Sequence, residues 1–356
     1  MRDTKQLSEE KGCESSLLNF LVAVLIFGFL VFVHELGHFV VAKRVGIAVE
    51  EFSIGFGPLV ASFTRGETHY SLRALPFFSY VRMRGAEPGE EAQEGSFNSK
   101  SVLQRVAVVG AGPLMYFVLA ALLFAVIFGS VGVASPTTVV EEVVSGYPAD
   151  KAGMVPGDRI SRIGDKPADD WETIVLTIHR NLNESLPVEI ERSGQTLVLE
   201  LVPIPNPDDP SRGFIGIRPA TMVSRLGPAQ AVVAGVGQTF GVVLLWFRGI
   251  MMMITREVQA DVVGPVGIIQ MIGEASKLGM ANVLALAAAM AANLGMLNLL
   301  PFPALDGSRL AFLLVEAVRG KPIDPEKEAM VHLVGLAVLL ALGVFITYRD
   351  ILRIAT

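Results

Sequence analysis

Residues 17–41 read LLNFLVAVLIFGFLVFVHELGHFVV. An uncharged apolar run, 17–33, leads straight into His34, Glu35 and His38. At a rise of about 1.5 Å per residue, a helix through this stretch matches a hydrocarbon core about 30 Å thick. A charged side chain at the centre of such a helix costs about 2.5–3.5 kcal/mol on insertion scales, so ionisable groups there point to function. On a helix, residues four apart share a face with their Cβ atoms about 5–6 Å apart. His34 and His38 can therefore hold one zinc ion, and Glu35 beside them can take a proton from a water at that ion, the H-E-x-x-H arrangement of metalloproteases. The bland alternative has the histidines satisfied by carbonyls near the end of a span, with Glu35 reaching for the interface. Sixteen mostly polar residues precede the run and no small-residue cleavage site follows it, so it is expected to be retained rather than removed as a signal peptide.

Composition agrees with a membrane protein. Of 356 residues 51% are hydrophobic and 18% charged, with a mean hydropathy of +0.52. The net charge of −6 argues against a nucleic-acid surface, and the single cysteine, Cys13, allows neither an intrachain disulfide nor a cysteine-built zinc site. Spans are expected at about 17–42, 103–131, 282–300 and 329–347. A fifth apolar run, 231–254, is interrupted only by Gln238 and Arg248. With four spans His38 and Asp306 reach similar depth; with five they end on opposite faces. The expectation is four, with 222–256 lying in the interface as an amphipathic or re-entrant element within a segment 221–281. Lys43, Arg44, Arg65, Arg73, Arg82, Arg84, Lys100 and Arg105 place the loop 43–102 in the cytoplasm, as Arg309, Arg319, Lys321 and Lys327 do for the loop between the last two spans. Both termini and the stretch 136–220 then fall on the extracytoplasmic side.

That stretch alternates β-branched runs with Gly, Pro and Asp turns, holds one helical segment around 170–181, and is large enough for a small core. Within the cytoplasmic loop, VEEFSIGFGPLV (49–60) and THYSLRALPFFSYVRM (68–83) alternate like strands around the turn TRGET. They predict a hairpin that dips toward the HELGH stretch and either offers an exposed edge to an added strand or serves only as packing.

A zinc site needs a third protein ligand and one open position. The candidates are Asp306, His69, Glu50, Glu51, His179 and His332. Asp306 stands apart because Pro301 and Pro303 break the helix before it. Broken backbone at membrane depth is tolerated only where it is buried in protein or lines a cavity, and a carboxylate there can turn inward. Asn298, a buried amide eight residues earlier, is a candidate for holding a substrate carbonyl or oxyanion, or else for a helix–helix hydrogen bond.

HELGH at the end of a first span, LNLLPFPALDG (297–307) at the end of a later one and a β domain between them resemble the site-2 protease family of intramembrane zinc metalloproteases, in its bacterial RseP/RasP branch with a single PDZ domain. SGYPADKAGMVPGDRISRIGD (145–165) is similar to a PDZ domain of such proteases. VEEFSIGFGPLV, YSLRALPFFSYVRM (70–83), FNSKSVLQRVAVVGAGPLMYF (97–117) and DVVGPVGIIQ (261–270) resemble family segments in the same order. The resemblance implies a polytopic α-helical membrane protein of about four spans, with a cytoplasmic membrane-associated β-hairpin and one extracytoplasmic PDZ-like β domain, in the bacterial cytoplasmic (inner) membrane. It implies zinc on His34, His38 and Asp306, with Glu35 as base, near the cytoplasmic side. The substrates it implies are single-pass membrane proteins already shortened by another protease, of the anti-sigma-factor or signal-peptide-remnant type, with the PDZ-like domain restricting access or binding a new C-terminus. Phe78 and Ser79 stand where the family usually has a glycine pair, Tyr116 where it usually has asparagine, and Ser308 where the glycine is often doubled. The competing class is a non-catalytic PDZ adaptor with a structural metal, which has no need of Glu35. A transporter is weaker still, since the spans show no obvious inverted repeat.

Overall fold

The computed structural model describes residues 2–86, 93–207, 209–257 and 263–355, with side chains from 17 to 353. The chain opens with α1 (Arg2–Arg44), β1 (Val49–Arg65), β2 (Thr68–Met83) and α2 (Val102–Ser130). It continues through β3 (Val133–Val143), α3 (Pro148–Lys151), β4 (Arg159–Ile163), β5 (Lys166–Pro167), α4 (Trp171–Arg180), β6 (Leu186–Arg192), β7 (Gln195–Leu201), β8 (Ile204–Pro205), β9 (Gly213–Phe214) and β10 (Ile217–Ser224). It ends with α5 (Pro228–Ile254), α6 (Pro265–Leu278), α7 (Met280–Leu299), α8 (Asp306–Arg319) and α9 (Pro325–Ala355). These fall into two compact units, Met1–Phe128 with Gly227–Thr356, and Gly129–Leu226.

In the first unit, α1, α2 and α7 meet through Leu30, Val33, Tyr116, Leu119, Ala120, Ala291 and Ala292. Small residues recur on the buried face of α7, at Ala287, Ala288, Ala291, Ala292 and Gly295, which lets helix backbones approach closely, as is usual where lipid removes the hydrophobic drive to associate. Among the described residues five helices are long and apolar enough to cross a membrane, one more than the four expected. The additional one is Pro228–Ile254. Gln238 and Arg248 do not interrupt it, both being good helix formers, and its Thr239 hydroxyl is satisfied by the Gly235 carbonyl at 2.9 Å. The family-like segment 261–270 is described from residue 263, its first two residues lying outside the described residues.

β1 and β2 are more than a simple hairpin. Residues 51–54 of β1 lie between two parts of β2, Glu51 to Ile54 facing Arg82 to Ser79 on one side and His69 to Leu72 on the other, while 59–65 pair with 68–73. The chain thus folds four short runs side by side. Ser79 and Phe78, where glycines were the family expectation, keep negative φ and continue the strand. A side chain at Gly28 would overlap the Pro76 carbonyl, so β2 touches the backbone of α1 within the candidate span Leu17–Arg44. Phe56, Leu59, Val60, Phe63, Leu75 and Phe78 of this element are exposed.

The second unit is a sheet of order β10-β3-β4-β6-β7 with β5 paired to β4. Alternation in β6 turns Val188 and Ile190 into a core with Val140, Ile160, Ile163, Ile174, Ile178, Leu201 and Ile215. Asp170 caps α4, accepting from the Thr173 amide at 2.7 Å. Asp158, fully buried, is held by Arg192 at 2.7 Å and by the Val155 amide at 2.8 Å.

Candidate metal centre

The site grows from the end of the first apolar helix. Four residues apart on α1, His34 and His38 bring their Nε2 atoms to 3.2 Å, and both residues are buried. His38 Nδ1 donates to the Val108 carbonyl of α2 at 2.8 Å, which leaves its Nε2 with a lone pair and fixes the ring, the usual second partner of a metal-bound histidine. The Tyr116 ring of α2 stacks on His34, centroids 4.8 Å apart.

Asp306 arrives from the far end of the sequence. Leu299 ends α7, and Pro301 and Pro303 keep the chain from continuing it. The turn then passes through Ala304 with φ 73° and starts α8 at Asp306. A side chain at Gly307 would overlap the Leu299 and Leu300 backbone, so only glycine lets α8 fold back this tightly. Asp306 Oδ2 ends 3.1 Å from His34 Nε2 and 3.4 Å from His38 Nε2.

Three buried acceptor atoms at 3.1–3.4 Å from one another match the edge of a tetrahedron built on bonds of about 2.0–2.1 Å, about 3.3 Å. Two imidazoles and a carboxylate are a zinc donor set with room for a fourth ligand, and they are the one such cluster among the described residues. Glu35, half-buried, faces the Val81 amide of β2 and interacts electrostatically with His34, His38 and Asp306. Val81 also lines a cleft of about 290 Å³ with Glu51, Tyr80 and Arg82.

The other candidate ligands are engaged elsewhere. His69 bonds Thr64, Glu50 pairs with Arg84, Glu51 binds Ser71 and Arg73, and His332 accepts from the Ala304 amide. His179 belongs to α4 of the second unit. Asn298 donates to the Leu294 carbonyl one turn back on α7 at 2.9 Å and makes no hydrogen bond to the cluster among the described residues.

The profile of peptidase family M50 matches residues 22–342, from the first apolar helix into α9. The chain belongs to this family. It is 31% identical to the regulator of sigma-W protease RasP of Bacillus subtilis, over 93% of this chain and 97% of that one. It is 32% identical to the zinc metalloprotease RasP of Bacillus licheniformis, over 95% and 100%. The PDZ domain of an SdrC-like protein from Listeria monocytogenes is similar to 25% of this chain and 92% of its own length, at 16% identity and a TM-score of 0.22. The M50 chain described here is a zinc metalloprotease.

Several parts of this M50 site are not legible along the chain. A side chain at Gly112 would overlap both His38 and His34, so α2 presses bare backbone against the imidazoles. Val108, Gly112 and Tyr116, spaced four apart, form the face of α2 that holds them, but nothing in that spacing points to α1. Arg105 on α2 makes a two-pronged bond to Glu316 of α8, one arm at 2.9 Å, tying together the two helices that flank the cluster.

Proposed function

We propose that this protease hydrolyses a peptide bond within or near the transmembrane segment of single-pass membrane proteins, with His34, His38 and Asp306 as zinc ligands and Glu35 as general base. The observation that carries the reading is the meeting of three buried donors from α1 and α8 at the geometry of one tetrahedral ion, with a carboxylate beside them. Zinc in this site supplies Lewis acidity and lowers the pKa of a water to near 7. Glu35 takes the proton of the attacking water and delivers it to the departing amine. The Val81 amide that faces it supports a role for β2 as well. Among the described residues, 79–81 pair with β1 along one edge, and their other edge suits an unwound substrate added as a strand. A helical substrate keeps its peptide groups bonded to one another, and pairing with β2 exposes one to attack. Asn298 is proposed to contact the substrate through the carbonyl end of its amide.

The cluster also supports a net topology. His38 and Asp306 share one site, so an even number of crossings separates the ends of α1 and α7. Either α5 lies along the membrane or its crossing is reversed before α7, which supports four net spans with the N-terminus and the PDZ-like second unit outside a bacterial inner membrane, and the β1–β2 element cytoplasmic. In the second unit a groove of about 160 Å³ between α4 and β9–β10 is lined by Trp171, Val175, Ile178, His179, Phe214 and Ile215. It suits a short peptide end, and the unit restricts access to substrates whose outer part has been removed by another protease, of the anti-sigma-factor or signal-peptide-remnant type.

Glu35→Gln tests the chemistry: the variant retains stoichiometric zinc and loses cleavage of a single-pass substrate in detergent. Retained cleavage in this variant rules Glu35 out as the base.

A further inference from the structure

His332, weighed from sequence as a zinc ligand, has a different task in the structure. It lies in the second turn of α9, and its Nδ1 accepts a hydrogen bond from the Ala304 amide at 3.0 Å. Ala304 has φ 73°, a conformation that L side chains avoid. It sits two residues before Asp306 in the turn whose course sets that carboxylate. One turn further along α9, a side chain at Gly335 would overlap Pro303, so the helix presses bare backbone on the same turn. The His332 ring is fixed on its other sides by the edge of Phe312, at 5.8 Å, and by Glu328, whose carboxylate lies 3.8 Å from Nε2. Nε2 is buried without a hydrogen-bond partner among the described residues.

We propose that His332 is a positioning residue for the zinc site: its Nδ1 lone pair holds the Ala304 amide and so keeps the strained turn in the one conformation that brings Asp306 to His34 and His38. α9 is thereby part of the metal centre without touching it. The inference rests on the zinc reading above and extends it to a helix little of whose apolar span is buried. The role requires an acceptor at Nδ1 and a backbone that resists φ near 73°, and each requirement can be removed separately.

The test is zinc affinity of the full detergent-purified chain, measured by competition with a chromogenic chelator, with kcat and KM for a single-pass substrate alongside. His332→Phe removes the acceptor and is expected to weaken zinc binding on the order of tenfold or more, the effect usual for partners behind metal ligands. His332→Asn, whose Oδ1 takes the place of Nδ1, is expected to stay within about threefold of wild type. Ala304→Gly relieves the strain and is expected to restore most of the affinity lost in His332→Phe. Wild-type affinity in His332→Phe overturns the proposal, as does a loss in His332→Phe that neither Asn nor Ala304→Gly recovers, which marks a general packing role. If His332→Phe does not fold, His332→Leu on the Ala304→Gly background decides: affinity equal to Ala304→Gly alone supports the clamp, and a tenfold drop from it overturns it. A wild-type chain that binds no zinc refutes the zinc reading itself, an outcome distinct from all of these.

Discussion

At His38 Nδ1–H donates to the Val108 carbonyl, so Nε2 faces the Asp306 carboxylate oxygen 3.4 Å away with a lone pair of its own. A proton or a metal ion between these two atoms turns their repulsion into attraction, and His34 Nε2 as a third donor makes the cluster suit a metal. Gly112 is the residue most sensitive to this arrangement. Gly112→Ala is expected to lower zinc affinity on the order of tenfold or more while circular dichroism stays that of wild type, since the methyl group pushes on both imidazoles. In the second unit Asp158 offers a test of a different kind. Burial pushes its carboxyl up, but bonds from Arg192 and the Val155 amide outweigh this and hold it below the usual carboxylate range. Because the folded value is depressed, the stability it contributes is complete above the unfolded value of about 3.9 and is lost as pH falls through the folded value. Asp158→Asn should therefore flatten the acid limb below about pH 4. Arg192→Ala leaves Asp158 buried and unpaired and should cost about 3 kcal/mol, the low end for a broken buried pair because Arg192 is a third exposed. Both are read from Trp171 fluorescence in a Trp246→Phe background, since the chain has two tryptophans. His34, Glu35 and His38 were legible in sequence because four-residue spacing on a helix is enough to define a shared face. Gly112 was not, because a close approach between helices leaves no trace in either one's periodicity.

Among the elements, the β1–β2 sheet and the α7–α8 turn do the placing. Alternation along 49–60 and 68–83 was sufficient to predict strands, but not that 51–54 would be flanked on both sides by β2. That doubling depends on register, which two strand patterns alone leave open. Val81→Pro removes the backbone N–H that faces Glu35, and proline can occupy an edge strand. The variant is expected to keep its zinc and to lose on the order of tenfold in kcat/KM, a loss of about 1.4 kcal/mol. Unchanged kinetics would remove β2 from substrate binding. Arg105 and Glu316 bind α2 to α8 with side chains only 11% and 15% exposed. Glu316→Ala leaves Arg105 buried and uncompensated, and should lower thermal stability and zinc affinity together. The swap Arg105→Glu with Glu316→Arg should recover part of both. The break before Asp306 was visible in Pro301 and Pro303, whereas the reason Gly307 must be glycine lies in the Leu299 and Leu300 backbone it meets.

For the whole molecule, hydropathy marked out four of the five described helices that are long and apolar enough to cross a membrane but left α5 undecided, because length and apolar content alone do not distinguish a helix that crosses from one that lies along the surface. The proposed topology is testable in a Cys13→Ser background, which is cysteine-free. A cysteine at Ser193, in the β6–β7 turn, should react with an impermeant maleimide in intact cells, and one at Ser62, in β1, only after permeabilisation; the reverse pattern would invert the orientation. The central claim is that His34, His38 and Asp306 together hold a catalytic zinc, and it is tested most directly by zinc-edge X-ray absorption on the detergent-purified full chain, with metal content measured on the same sample. One zinc per chain is expected, with nitrogen and oxygen neighbours at about 2.0–2.2 Å, two imidazoles and no sulfur, and with the metal depleted in Asp306→Asn. A shell of three imidazoles, a sulfur neighbour, or full zinc occupancy in Asp306→Asn would contradict it.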